Sequence, residues 1–383
     1  MTFINYYEVL ELDKNSNAEA IKEAVRKQRR EWRNRQGHPK AETRALAEKM
    51  TQHISDAEAT LLDSAKRADY DRQLAAQASV PVQQPSAGPG GRDWVEIARQ
   101  YLDSGNASQA NYAAREATTQ QSENPDAWYV RGMSSHILSN YADADFELGE
   151  AIRLNPNDPT YHCEMGDLYS SADQAPRAQQ AYQRASDLDP SNLFYQVGVA
   201  STLTAQGHAG QAVPILKKAV DANPDNDLFI FHYAIAALDS TTDQWSQFAD
   251  GSSSITNDAQ LALTRTNLRT VEALRVSDPE LKEHIDEISR MADKAERVKW
   301  FGSDNILGYL GGLAVTFVGV LICFGIASGG NGGAGFVGFL FLVALVLIPV
   351  IFVRRHRMPG WKWEQKHVPA FVRQSGLQQV GGQ

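Results

Sequence analysis

Residues 151–159 read Ala-Ile-Arg-Leu-Asn-Pro-Asn-Asp-Pro, residues 185–192 read Ala-Ser-Asp-Leu-Asp-Pro-Ser-Asn, and residues 219–226 read Ala-Val-Asp-Ala-Asn-Pro-Asp-Asn. The pairs Asn155-Pro156, Asp189-Pro190 and Asn223-Pro224 are spaced 34 residues apart. A fixed period of this length marks a stacked repeat and takes precedence over local readings of helix or strand. The positions between the turns keep the same phase. Small residues recur at Gly132, Gly166 and Ala200, at Ala144, Ala178 and Ala212, and at Ala151, Ala185 and Ala219, with larger ones at Leu148, Tyr182 and Leu216. Two helices per unit must cross closely at the small positions, while the large side chains fill the space between neighbouring units.

An earlier unit begins at Asp93, with Trp94, Ala98, Tyr101, Ala110 and Ala117 in the matching places and its closing turn displaced to Asn124-Pro125. After Asn223-Pro224 a fifth first helix carries Ile230, Tyr233 and Ala234, and the pattern breaks near Asp239-Ser240-Thr241-Thr242. Four complete repeats and a partial one are expected. The pattern resembles the tetratricopeptide repeat, which implies an α-solenoid with a concave surface that binds proteins or peptides. Some members of that family clamp the terminal carboxylate of heat-shock proteins with Lys and Asn on the inner helices. The corresponding places here hold Val95 and Arg99, Tyr129 and Met133, Cys163 and Asp167, and Val197 and Ser201. Only Arg99 suits an anion, so that clamp is not expected. Between Arg92 and Ser240 there are nine Lys and Arg against twenty Asp and Glu, a net charge of −11. Such a face favours basic or neutral peptides and disfavours nucleic acid.

The C-terminal end has a different character. Residues 306–327, ILGYLGGLAVTFVGVLICFGIA, and residues 336–353, FVGFLFLVALVLIPVIFV, contain no charged residue. Crossing a bilayer core takes roughly 20 apolar residues. The segment Ser328–Gly335 between them is rich in glycine and reads as a turn, so two antiparallel spans are expected. Lys294, Arg297 and Lys299 precede the first run, Arg354, Arg355 and Arg357 follow the second, and the turn has neither Lys nor Arg. The positive-inside rule then places both flanks in the cytoplasm. Trp300, Phe301, Trp361 and Trp363 suit the membrane interface. Gly308, Gly311, Gly312 and Gly319 would permit close helix approach or self-association. Helical spacing also recurs between Asn257 and Trp300, at Leu261, Leu268, Val271, Leu274, Leu281, Ile285 and Ile288, with a break at Asp278-Pro279.

At the other end, Ile21, Ala24, Val25 and Trp32, then Leu46, Met50, Ile54, Ala57 and Leu61, form two short apolar stripes ahead of a Pro/Gln/Gly-rich stretch. The segment resembles a J-domain, the module through which co-chaperones stimulate Hsp70 ATPases. The resemblance rests on Tyr6-Tyr7-Glu8-Val9-Leu10, on residues 20–27 (AIKEAVRK), on Ile54-Ser55-Asp56-Ala57 and Leu61-Leu62-Asp63, and on residues 66–71 (KRADYD). It implies a His-Pro-Asp tripeptide directly after the second helix, where it contacts the Hsp70. This chain has Arg33-Asn34-Arg35 there, and a His38-Pro39-Lys40 out of register. An arginine in place of the carboxylate reverses the charge at that contact. Gln28 replaces an apolar core residue. The basic docking helix that the resemblance implies is represented by Lys22, Arg26, Arg29, Arg30 and Arg33, which can share one face.

The net charge of −9 argues against a general nucleic-acid binder, and the only cysteines are Cys163 and Cys323, too few for a disulfide framework. The N-terminus lacks the basic stretch and apolar block of a secretory leader. Glycine-rich phosphate loops, nucleophile elbows and paired-histidine metal motifs are absent from the sequence. His136, His162 and His232 fall in repeat helices, where packing or solvent exposure is the ordinary role. Neither an enzyme, a cofactor nor a metal is expected.

The expected architecture is all-α. A J-like helical module spans 1–76, a flexible linker 77–92, a tetratricopeptide-repeat solenoid 93–256, capping and connecting helices 257–303, a two-helix transmembrane hairpin 304–354, and a cytoplasmic tail 355–383. The expected function is a membrane-anchored adaptor or co-chaperone-like protein in a plasma or inner membrane, with both termini cytoplasmic. Its partners would be proteins in the solenoid groove, an Hsp70 and the lipid bilayer. An active atypical Hsp70 co-chaperone and a structural subunit of a membrane complex are the alternatives.

Overall fold

The computed structural model describes residues 4–36, 41–78, 93–276, 278–302, 305–330, 332–367 and 377. The chain divides into two units, residues 1–240 with 275–277, and residues 241–274 with 278–383. The expected linker at 77–92 and the His38-Pro39-Lys40 segment lie almost wholly outside the described residues.

The first unit opens with α1 (Tyr6–Val9), α2 (Ala18–Gln36), α3 (Ala41–Leu61) and α4 (Ser64–Ala78). Helices α2 and α3 pack along their apolar stripes, burying Ile21, Val25 and Trp32 with Leu46, Met50, Ile54, Ala57 and Leu61. Gln28 is tolerated in this core because its Oε1 accepts a hydrogen bond from Trp32 Nε1 at 3.1 Å. Helix α4 is tied to the start of the chain by Tyr70. Its ring stacks on Tyr6 at 4.8 Å, and its hydroxyl donates to the Ile4 carbonyl at 3.0 Å.

Nine helices continue the unit: α5 (Trp94–Asp103), α6 (Ala107–Gln120), α7 (Pro125–Ile137), α8 (Tyr141–Leu154), α9 (Pro159–Ser171), α10 (Ala175–Leu188), α11 (Leu193–Ala205), α12 (Ala209–Ala222) and α13 (Asp227–Thr242). They form four helix pairs followed by a fifth first helix. The turn residues start the helices: Asn124, Asp158 and Asn192 each cap a first helix by accepting from a backbone N–H two residues on. Pro125 and Pro159 then occupy the first helical position, where a missing N–H costs nothing. The turn inside each pair has its own period. Gly105, Ser139, Asp173 and Gly207 all adopt positive φ and lie 34 residues apart, so the first unit keeps phase despite its displaced closing turn.

The periodic small residues do what their size allows. Ala144, Ala151, Ala178, Ala185, Ala212 and Ala219 are completely buried. A Cβ on Gly132 would lie 2.7 Å from Leu148, and one on Gly166 or Gly198 would lie 2.7 or 2.6 Å from the Tyr182 ring. Tyr182 is therefore wedged between α9 and α11. The buried apolar residues of α1–α4 and of the first repeats form one contiguous core, running from Tyr7 and Leu10 through Leu46 and Met50 to Val95, Ala98 and Leu102.

The second unit contains β1 (Ser246–Gln247), β2 (Ser253–Ser254), α14 (Asp258–Glu272), α15 (Pro279–Glu296), β3 (Val298–Trp300), α16 (Ile306–Ala327), α17 (Gly332–His356), β4 (Arg357–Pro359) and α18 (Gly360–His367). Asp278 caps α15 by accepting from Leu281 N at 2.7 Å. The strands are local additions to an otherwise helical chain. β1 pairs antiparallel with β2, and β3 pairs antiparallel with β4 through Val298–Pro359, Lys299–Met358 and Trp300–Arg357. The second pairing joins the two ends of the α16–α17 hairpin.

The most apolar 18-residue windows of α16 and α17 have mean hydropathies of 2.4 and 3.1, and both helices are long and apolar enough to cross a membrane. Helix α17 starts at Gly332, so the turn is shorter than the expected Ser328–Gly335. Residues 332–335 carry no side chain larger than a methyl, and Gly335 lies beside Ala327, so the helix continues alongside its partner. Close approach rests on Gly319, where a Cβ would meet the Phe341 ring at 2.8 Å, and on Gly338 against Phe324. Among the described residues, a Cβ on Gly311 would meet nothing within 4 Å, and one on Gly312 would meet Ile348 at 3.5 Å, an ordinary contact. At the base of the hairpin Trp300 stacks on Phe352 and Phe301 on Trp363, with centroids 6.0 and 5.2 Å apart.

Candidate functional site

Helix α2 carries seven basic and three acidic residues, and it lies against an acidic array of repeats. Its cations separate into three groups. Lys22, Arg26 and Arg30 are exposed, and Lys22 pairs with Glu19 at 2.8 Å. Arg29 is half-buried and donates to Glu58 of α3 at 2.5 Å. Arg33, also half-buried, leaves the module and sets its guanidinium 4.3 Å from the centroid of the Phe231 ring in α13. The five residues expected to form one basic face are thus not equivalent: three face outward, and two are engaged within the unit.

Arg35 goes further. Only 1% of it is exposed, and its Nη2 lies 2.6 Å from His136 Nδ1 and 3.2 Å from Glu164 Oε1. His136 belongs to α7 and Glu164 to α9, both first helices of their repeats. A guanidinium has no lone pair to offer, so His136 Nδ1 is the acceptor. Nε2 lies 3.0 Å from Ser171 Oγ and 3.3 Å from the same Arg35 nitrogen. Glu31, one helical turn before Arg35, places Oε1 3.6 Å from the same Nε2. Asp167, one turn beyond Glu164, accepts a hydrogen bond from the Tyr182 hydroxyl at 2.5 Å.

Removing charges from water is costly, and the site responds in the expected directions. Desolvation alone would lower the pKa of Arg35, but Glu164, Glu31 and Asp167 outweigh it and hold the guanidinium charged. Asp167 is pushed up to about 7, first by burial and then by the Glu164 charge, with Arg35 and the Tyr182 hydroxyl opposing. Beside Arg33, His232 is pushed down to about 4 by burial and by that cation. Burial also pushes the Cys163 thiol well up, reinforced by Asp167 and Glu164, which makes it a poor nucleophile. A cavity of about 270 Å³ adjoins the site, lined among others by Arg30, Glu31, Arg35, Asp167 and Tyr182.

The chemistry of this arrangement is recognition of a planar cation by carboxylates and an imidazole. Among the described residues no group of three or more His, Cys, Asp or Glu is placed to hold a metal ion. Of the tripeptide position, Arg33 and Arg35 both reach the repeats. Asn34 belongs to α2, and its side chain lies outside the described residues. The receiving residues His136, Glu164, Asp167 and Phe231 were not nominated by the sequence. The available signal was the pair Glu164 and Asp167, two carboxylates on one face of an inner helix. It becomes informative only once the arginine opposite is known.

Residues 5–71 match the family model for the DnaJ domain. A curated relative, the small glutamine-rich tetratricopeptide repeat-containing protein 2 of Mycosarcoma maydis, is 29% identical over 132 residues, covering 34% of this chain and 35% of the relative. The matched region thus spans about a third of that relative's length. Among solved structures, YrrB, described as a TPR protein with an unusual peptide-binding site, is 13% identical, covers 51% of this chain and 90% of its own, and superposes with a TM-score of 0.38. TTC0263, a thermophilic TPR protein of Thermus thermophilus, is 11% identical over 52% of this chain and 98% of its own, with a TM-score of 0.37. A tetratricopeptide repeat protein of Parabacteroides merdae is 13% identical over 74% and 98%, with a TM-score of 0.37. A DnaJ domain joined to tetratricopeptide-like repeats supports a co-chaperone or a protein-interaction adaptor.

Proposed function

We propose that the chain is a non-enzymatic, membrane-tethered adaptor in which the solenoid binds protein partners and the J-like module serves as a docking piece rather than a free-standing stimulator of Hsp70. The observation that carries this reading is the burial of Arg35 on His136 and Glu164. The third place of the tripeptide position has the opposite charge to the usual carboxylate and points into the chain's own repeats. An Hsp70 surface that pairs with Asp would meet repulsion there, and would first have to displace Arg35 from its carboxylates. Lys22, Arg26 and Arg30 remain exposed as a docking face for an acidic protein, an Hsp70 among them, with Arg33 joining them on release. The apolar helices act as the tether, with the cations of both flanks on the cytoplasmic side.

Single-turnover ATP hydrolysis by the cognate Hsp70, with and without the full chain in detergent, tests the reading. The expected result is no acceleration above the Hsp70 alone. Clear acceleration that disappears in Arg26→Ala would replace the adaptor by an active co-chaperone working without the tripeptide.

A further inference from the structure

The two acceptors of Arg35, His136 and Glu164, lie beside a third buried acceptor, Asp167. His136, Glu164 and Asp167 come from two repeats and are at most 6% exposed. They belong to α7 and α9, the first helices of two successive repeats. Burying two carboxylates side by side is unfavourable without a cation, as the rise at Asp167 records. Within the repeats Tyr182 donates to one Asp167 oxygen, while Asp167 Oδ2 has no hydrogen-bond partner among the described residues. The arginine comes from more than a hundred residues away in sequence, on a helix of opposite charge. Arg35 is itself incompletely satisfied, since its Nε and Nη1 have no hydrogen-bond partner among the described residues, and the cavity of about 270 Å³ lies beside it.

We propose that the face of α7 and α9 at His136, Glu164 and Asp167 is an arginine-binding site of the solenoid, filled here in cis by Arg35, and that its ligand in trans is a peptide or helix presenting an arginine. The proposal deepens the adaptor reading, since it gives the chemistry by which a partner is taken. A lysine would be a poorer ligand, because a planar guanidinium can address the imidazole and a carboxylate together while an ammonium is a point charge. Binding in trans requires α2 to leave, so the affinity of the intact chain is lowered by the fraction of molecules in which the site is open. Arg35 of α2 and an arginine in trans thereby compete for one face.

The test uses the full chain in detergent and one probe, a fluorescent peptide of residues 18–36, read by anisotropy. The wild-type chain should bind it weakly, and Arg35→Ala in the chain should raise the affinity by at least about tenfold by opening the site. A peptide carrying Arg35→Ala should not bind the opened chain, and adding Glu164→Gln to the chain should abolish binding of the unmodified peptide. Equal binding of the two peptides, or no gain on opening, overturns the proposal. Should Arg35→Ala lose helix content by circular dichroism, Arg35→Lys replaces it. That chain keeps the charge, and its affinity for the peptide should still exceed wild type; an unchanged affinity overturns the proposal. Because the probe is the chain's own α2, failure to capture a cellular partner would sink the adaptor reading while leaving this result standing.

Discussion

Asp167 is the residue at which folding and titration meet. Its carboxyl is pushed up to about 7 by burial and by Glu164, whereas an unfolded aspartate titrates near about 3.9. The folded chain therefore holds this proton more tightly than the unfolded one. The cost of charging Asp167 is absent below about pH 4, grows as pH rises, and is complete above about pH 7. Asp167→Asn removes it and still accepts from Tyr182. We expect the melting-temperature difference, variant minus wild type, to be more positive at pH 8 than at pH 5 by about 2–5 °C. Differential scanning calorimetry at the two pH values checks this, and an identical difference at both would show that Asp167 is ionised throughout. The comparison must be made against wild type, because His232, pushed down to about 4, shifts stability in the other direction between about pH 4 and 6.5. None of this was legible from the sequence. Arg35 read as the charge-reversed third place of a tripeptide that contacts an Hsp70, and its partners lie on helices brought to it by a tertiary contact spanning a hundred residues.

Helix pairing, by contrast, was written in the sequence, because the 34-residue phase of small residues has a direct steric cause. Gly166 and Gly198 leave room for the Tyr182 ring between α9 and α11, and a methyl on either would lie within 3 Å of it. In an exposed helix, Gly→Ala is favourable by about 1 kcal/mol. At Gly166 it should instead destabilise by about 1–3 kcal/mol through overpacking. Gly149 in α8 is the control, since a Cβ there would meet nothing within 4 Å, and its replacement by Ala should be neutral or stabilising. Urea unfolding of the two variants decides the matter, and equal effects would mean that the phase carries no packing information. Other elements were less readable. The β3–β4 ladder joins residues about sixty apart in two three-residue strands, too short for alternation to register. The glycine-rich start of α17 read as turn because intrinsic propensity was overridden by the neighbouring helix.

Across the whole molecule, charge is segregated by sequence region. The repeats carry −11, α2 carries a net +4, and the longest stretch without charge runs from Asn305 to Val353, through α16 and the apolar body of α17. Both helices leave large apolar side chains exposed, among them Leu307, Val315, Leu321, Phe336 and Val346. An exposed apolar surface of this extent, on two paired helices, is stable in a bilayer and is an aggregation hazard in water. Arg354 and Arg355 end α17, Lys299 lies in β3 before α16, and β3–β4 holds these two borders together. On the proposed tether, two spans whose outer ends are joined and positively charged would have one favourable insertion, with the turn at Ser328 on the far side and α18 on the near side. In a background of Cys163→Ser and Cys323→Ser, Ser328→Cys should react with an impermeant maleimide applied outside intact cells, whereas Lys366→Cys should react only after permeabilisation. Labelling of Lys366→Cys from outside would invert the topology and place the DnaJ domain on the side away from cytoplasmic Hsp70. Protection of both positions, with release of the chain by alkaline carbonate, would remove the tether altogether and leave the apolar hairpin to pair with another protein.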